Sequence, residues 1–196
     1  MKKYLLTILL LVTFTGFTQT DSDNTKGKSI VYFTQVNSLS PLSKTYIFDK
    51  DKILGRTESR KYFKYVCEPG KHFFWGVSSN RSGVEINLKP DKIYFIDIVM
   101  FSMGINVLMP EDASITLKVL KKKSKNKIKL IKKLLRKKKP ISFTDKDLKK
   151  WKKNRARHVK KMMKLYNKFS KRKKHHRYKI YGTKDPIDFD SNFLKK

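Results

Sequence analysis

Nearly all the net charge of this chain is confined to its C-terminal portion, and that confinement limits what can fold. The 196 residues carry a formal net charge of +32. From Asp21 to Lys118 there are 14 Lys/Arg and 11 Asp/Glu, a net of +3; from Val119 to Lys196 there are 32 and 5, a net of +27. Charge at the second density repels itself and has no place inside a core. The chain therefore reads as a near-neutral body that can bury apolar surface, joined to a cationic tail that is either solvated or matched by a polyanion. Anionic lipid, lipopolysaccharide, nucleic acid and an acidic protein face are the candidate partners, and no feature singles out a particular protein.

Met1-Lys2-Lys3 precedes an apolar stretch from Tyr4 to Phe17, and a polar, turn-prone run from Thr18 to Asp23 follows. This layout predicts a signal peptide over residues 1–18, with Gly16 and Thr18 as the small residues before a cut at Gln19. The apolar stretch is shorter than the roughly 20 residues of a spanning helix. An uncleaved N-terminal anchor is the rival reading. The expected location is outside the cytoplasm, periplasmic or associated with the cell envelope. No cysteine follows the apolar run to take a lipid, so a lipoprotein is not expected. The lone Cys67 has no partner for an intramolecular disulfide and reads as a buried packing residue.

Residues 28–120 read as a β domain. Apolar, aromatic or β-branched runs predict strands at Ser29–Gln35, Thr45–Asp49, Ile53–Thr57, Tyr62–Cys67, His72–Ser78, Val84–Leu88, Ile93–Phe101 and Ile115–Val119. Turn residues separate them, as at Lys50-Asp51-Lys52, Pro69-Gly70 and Pro90-Asp91. Strands at intervals of about 8–12 residues with no helical pattern between them predict a mainly β fold, an antiparallel β-sandwich of transthyretin/Ig-like kind. A parallel sheet is not expected, because no crossover helix is visible. Phe33, Phe48, Phe63, Tyr65, Phe74, Trp75, Tyr94 and Phe95 supply the core. Burial of each contributes roughly 1.5–3 kcal/mol. Proline fixes one turn dihedral and glycine accepts positive φ, so Pro69-Gly70 is expected to redirect the chain between two strands.

The segment Tyr65-Val-Cys-Glu-Pro-Gly-Lys-His72 resembles the "vpPGkH" stretch of the DUF2846 family of small exported bacterial β-sandwich domains. Ser29-Ile-Val-Tyr-Phe33 is similar to that family's opening "iYvyR" strand. Leu88-Lys-Pro-Asp-Lys-Ile-Tyr-Phe-Ile96 resembles its "l.aGk.Yyv" segment, with Pro90-Asp91 where glycine is usual. The resemblance covers residues 28–120 and leaves the tail aside. It implies a sandwich fold and an envelope location, and it brings no catalytic residues. Family members are often lipoproteins, and this chain departs from them in lacking the lipid-bearing cysteine.

No nucleophile elbow, phosphate-binding loop or dinucleotide fingerprint occurs in the sequence. The histidines are His72, His158, His175 and His176, none at a metal-site spacing. His175-His176 with Asp185, Asp188 and Asp190 could offer a weak metal site, but the surrounding lysines oppose a cation. No catalytic, cofactor-binding or metal-ligating residue is assigned, no cofactor is expected, and the chain does not read as an enzyme.

The tail, residues 121–196, holds two helical patterns. Ile128, Leu130, Ile131, Leu134 and Leu135 form an apolar stripe over 126–136, and Pro140 ends that helix. Thr144 and Asp147 form a capping box that opens a second helix over 145–171. Its stripe is Leu148, Trp151, Val159, Met162, Tyr166 and Phe169. Basic residues flanking that stripe are the expected anion- or membrane-binding set: Lys149, Lys150, Trp151, Lys153, Arg155, Arg157, Lys160, Lys161 and Lys164. Two arrangements are open. The stripe inserts at a membrane interface, or it packs on the β domain and leaves only charge for the partner. Trp151 and Tyr166 are also available to stack on bases, which makes nucleic acid the alternative partner. The final acidic island, Asp185–Asp190, is either folded back on the lysines or frayed.

Overall fold

The computed structural model describes residues 25–36, 44–78, 80–102, 113–120 and 124–170. The expected signal peptide, His175-His176 and the acidic island at Asp185–Asp190 lie outside the described residues. Among those described, the chain forms β1 (Ser29–Gln35), β2 (Lys44–Asp49), β3 (Lys52–Glu58), β4 (Lys61–Cys67), β5 (Gly70–Val77), β6 (Arg81–Leu88), β7 (Ile93–Ser102) and β8 (Ala113–Val119). Two helices follow, α1 (Lys125–Lys137) and α2 (Asp145–Ser170).

The fold is mainly β, in two four-stranded sheets. The first has the order β4-β1-β7-β8 and the second β3-β2-β5-β6. The chain changes sheet four times, between β1 and β2, β3 and β4, β4 and β5, and β6 and β7. Glu68 and Pro69 carry it from β4 to β5, and Gly70 takes φ 119°, a value that side-chain-bearing residues rarely adopt. The β2–β3 hairpin turns through Lys50 and Asp51, with Lys50 at φ 51° and Asp49 opposite Lys52.

One expectation about the sheets is corrected. β1 and β7 run parallel, Ile30 beside Ile93 through Thr34 beside Asp97, so the first sheet is mixed; every other strand pair is antiparallel. Parallel neighbours need a long crossover. Here it is supplied not by a helix but by the whole excursion from β2 to β6, which visits the second sheet twice.

Between the sheets lie Val31, Phe33, Ile47, Phe63, Phe74, Val84, Tyr94 and Ile96, all buried. Phe33 stacks on Phe63 at 4.8 Å and meets Phe74 edge-on at 5.2 Å. A polar bridge crosses this layer: the Thr57 hydroxyl donates to Gln35 Oε1 at 2.8 Å, linking the two sheets. β1, β5 and β7 also bury residues on their outer faces, namely Tyr32, Phe73, Trp75, Ile93 and Phe95. Strands covered on both sides have apolar side chains in succession rather than in alternation. The cover is helix α1 on the first sheet and α2 on the second.

Candidate anionic-surface interface

α1 lies across the outer face of the first sheet. Ile131 and Leu134 are buried among Tyr32, Tyr62, Ile93, Phe95 and Leu120, with Ile128 and Leu135 alongside. Below it is Asp97, only 1% exposed. This carboxylate accepts from the Thr34 hydroxyl at 3.1 Å and the Val36 N–H at 3.3 Å. Its second oxygen pairs with Lys127 Nζ of α1 at 2.5 Å. The contact links α1 directly to the buried part of β7.

From α1 the chain crosses the edge of the sheets near β4. The Lys138 N–H donates to Leu134 O and closes the helix, and the Tyr62 hydroxyl donates to Lys138 O at 3.1 Å. The Ile141 N–H then donates to Tyr62 O at 2.8 Å. Thr144 opens α2 as the sequence predicts: its hydroxyl accepts from the Asp147 N–H at 3.3 Å, and Asp147 Oδ2 accepts from the Thr144 N–H at 3.2 Å. The Thr144 contacts hold the Asp147 carboxyl below the usual carboxylate range, with Arg56 assisting. Arg56 of β3 donates to Asp147 Oδ1 at 3.1 Å and ties the helix start to the second sheet.

α2 covers that sheet's outer face. Trp151 and Met162 are buried with Phe48, Phe73, Trp75 and Val77; Val159 and Tyr166 pack beside them. Trp151 lies 4.9 Å from the Phe48 ring, and Tyr166 stacks on Phe73 at 4.0 Å. Arg81 of β6 reaches His158 Nδ1 at 2.6 Å. The close approach depends on Gly83, where a Cβ would stand 2.7 Å from the Phe73 ring and 3.3 Å from Met162 Cε.

This packing sorts the expected binding residues. Trp151, expected at the interface with the partner, is 5% exposed and belongs to the packed layer under α2. Burying an indole against Phe48 and Tyr46 removes more apolar area from water than leaving it on a charged surface. Lys149, Arg157, Lys160, Lys161 and Lys164 are exposed on the opposite side of the helix. The side chains of Lys150, Lys153 and Arg155 lie outside the described ones. A second cationic row was not singled out from sequence: Lys125, Lys129, Lys133 and Lys137 are exposed along α1. Their four-residue spacing, opposite Ile131 and Leu134, was the available signal.

Two chemically capable side chains of the body, His72 and Cys67, are engaged in the fold. His72 sits between two acceptors, Asp49 Oδ2 at 2.6 Å from Nδ1 and Glu68 O at 2.9 Å from Nε2. The hydrogen bond to Asp49 raises its pKa against the opposing effect of burial, and the Glu68 carbonyl adds to the rise. Two acceptors, one on each ring nitrogen, favour the protonated ring. Cys67 is buried, and burial pushes its thiol up to about 12, so it stays protonated. Among the described residues, no helix is long and apolar enough to cross a membrane.

No protein-family model matches the chain. No curated protein matches it either.

Proposed function

We propose that this is an exported, non-enzymatic envelope protein that binds an anionic surface, lipid or lipopolysaccharide, through the exposed basic faces of α1 and α2. The body is read as a β-sandwich of transthyretin/Ig-like kind, akin to the DUF2846 domains that its Pro69-Gly70-Lys71-His72 segment resembles, and residues 121–196 as its basic helical extension. One observation supports the reading above others: Ile131 and Leu134 of α1 and Trp151 and Met162 of α2 are buried against the sheets, while Lys125, Lys129, Lys133, Lys137, Lys149, Lys160, Lys161 and Lys164 are exposed. The partner then meets charge, and attachment is electrostatic rather than insertive. Each basic group near an anionic bilayer contributes on the order of 1 kcal/mol. Nucleic acid is the alternative partner. It is disfavoured because Trp151 and Tyr166, the rings that would stack on bases, are packed on Phe48 and Phe73.

Co-sedimentation of the mature chain, from Gln19 onward, with phosphatidylglycerol, lipopolysaccharide-containing and phosphatidylcholine vesicles tests this. The expected result is binding to the two anionic preparations only, weakening with salt and surviving excess DNA. Binding stripped entirely by DNA, or none to either anionic vesicle, overturns the proposal.

A further inference from the structure

α1 and α2 do not extend one basic surface. One covers the outer face of the first sheet and the other the outer face of the second, with the shared core between them. Lys129 and Lys133 lie opposite the buried Ile131 and Leu134 of α1, and Lys149, Lys160 and Lys164 lie opposite the buried Trp151 and Met162 of α2. All five lysines are exposed. The acidic residues of the two helices are Asp145 and Asp147, both in the first turn of α2. Four layers at about 10 Å each separate the cationic rows by roughly 40 Å. That is several times the Debye length of about 8 Å at physiological salt, so each face senses its own surroundings and neither masks the other.

We infer that the protein is bivalent: its two opposite cationic faces engage two separate anionic phospholipid bilayers and hold them together. This rests on the anionic-surface reading above and adds a geometry to it. Binding one bilayer uses one face and leaves the other directed away from it. A second bilayer captured by that face is bridged to the first through the same molecule. The folded body acts as the spacer, because both helices are fixed to it through Lys127–Asp97 and Arg56–Asp147.

The test combines vesicle clustering, followed by light scattering, with co-sedimentation of phosphatidylglycerol vesicles. The mature chain is compared with an α1-face variant (Lys125→Glu, Lys129→Glu, Lys133→Glu) and an α2-face variant (Lys149→Glu, Lys160→Glu, Lys164→Glu). Lys→Gln versions at the same positions guard against a folding defect. The expected result is clustering by the unaltered chain and its loss in either variant, while each variant still binds to within about a factor of two, the statistical cost of one face out of two. The combined variant should lose both. A chain ending at Ser170 should cluster as the longer one does. Binding without clustering in the unaltered chain overturns the bivalent inference and leaves the anionic-surface reading standing. So does clustering that persists in a one-face variant, or that disappears with residues 171–196. Failure of the unaltered chain to bind at all overturns the anionic-surface reading itself.

Discussion

His72 shows how single residues give this molecule its pH response. Its folded pKa is raised above the ordinary value of 6.5, first by the hydrogen bond to Asp49. The stabilisation is therefore complete below about pH 6.5 and is lost as pH rises through the raised folded value. Urea unfolding across that range should show a decline that His72→Gln lacks; an unchanged slope in the variant would assign the decline to another group. Gly83→Ala acts through sterics. Its Cβ would press on Phe73 and Met162, and overpacking of this kind costs about 1–3 kcal/mol. Denaturant midpoints together with limited proteolysis of α2 measure it. Cys67 and Pro69-Gly70 were legible from sequence, because burial of a lone thiol and the freedom of glycine are local properties. Gly83 was not, since the atoms that exclude a side chain there come from Phe73 and from Met162 on a distant helix. Asp97 gave a similarly incomplete signal: a single carboxylate in an apolar strand, whose partner Lys127 lies far along the chain.

The elements were readable because each has a local cause. Turn residues bounded the strands, and Thr144 and Asp147 marked the start of α2. Where the helices dock was not readable, because an apolar stripe with a charged back fits a sheet and a membrane interface equally well. The clue lay in the strands: β1, β5 and β7 have successive apolar residues, as in Phe73-Phe74-Trp75, and so required cover on two sides. The parallel β1–β7 pair was invisible because its crossover consists of strands. Asp97→Ala should loosen α1, leaving Lys127 without its counter-charge and Thr34 and Val36 without their acceptor. A loss of about 2–4 kcal/mol is expected, with faster proteolysis within Lys125–Lys137. If α1 stayed as protected as before, the ion pair would not be what fixes it. Trp151→Ala should cost about 3–5 kcal/mol, as for removal of a packed indole, measured by the same unfolding.

At the scale of the whole molecule, the segregation of charge seen in the sequence becomes an arrangement in space. The near-neutral body supplies two sheets, each sheet takes one amphipathic helix, and the exposed lysines of those helices, Lys129 and Lys133 on α1 and Lys149, Lys160 and Lys164 on α2, form two outward faces. Such a molecule should bind anionic vesicles less tightly as salt rises, without apolar side chains leaving the fold. The chain has only two tryptophans, Trp75 and Trp151, and both are buried, one in each partner of the α2 contact. Their emission is therefore the most direct report on the central claim, that α2 is docked with Trp151 and Met162 inward. Acrylamide quenching of the protein should show short-wavelength emission from both indoles, resistant to the quencher both free in solution and on pelleted phosphatidylglycerol vesicles. A red-shifted, readily quenched component in solution, or a shift on binding lipid, would contradict the account and mean that α2 leaves the second sheet.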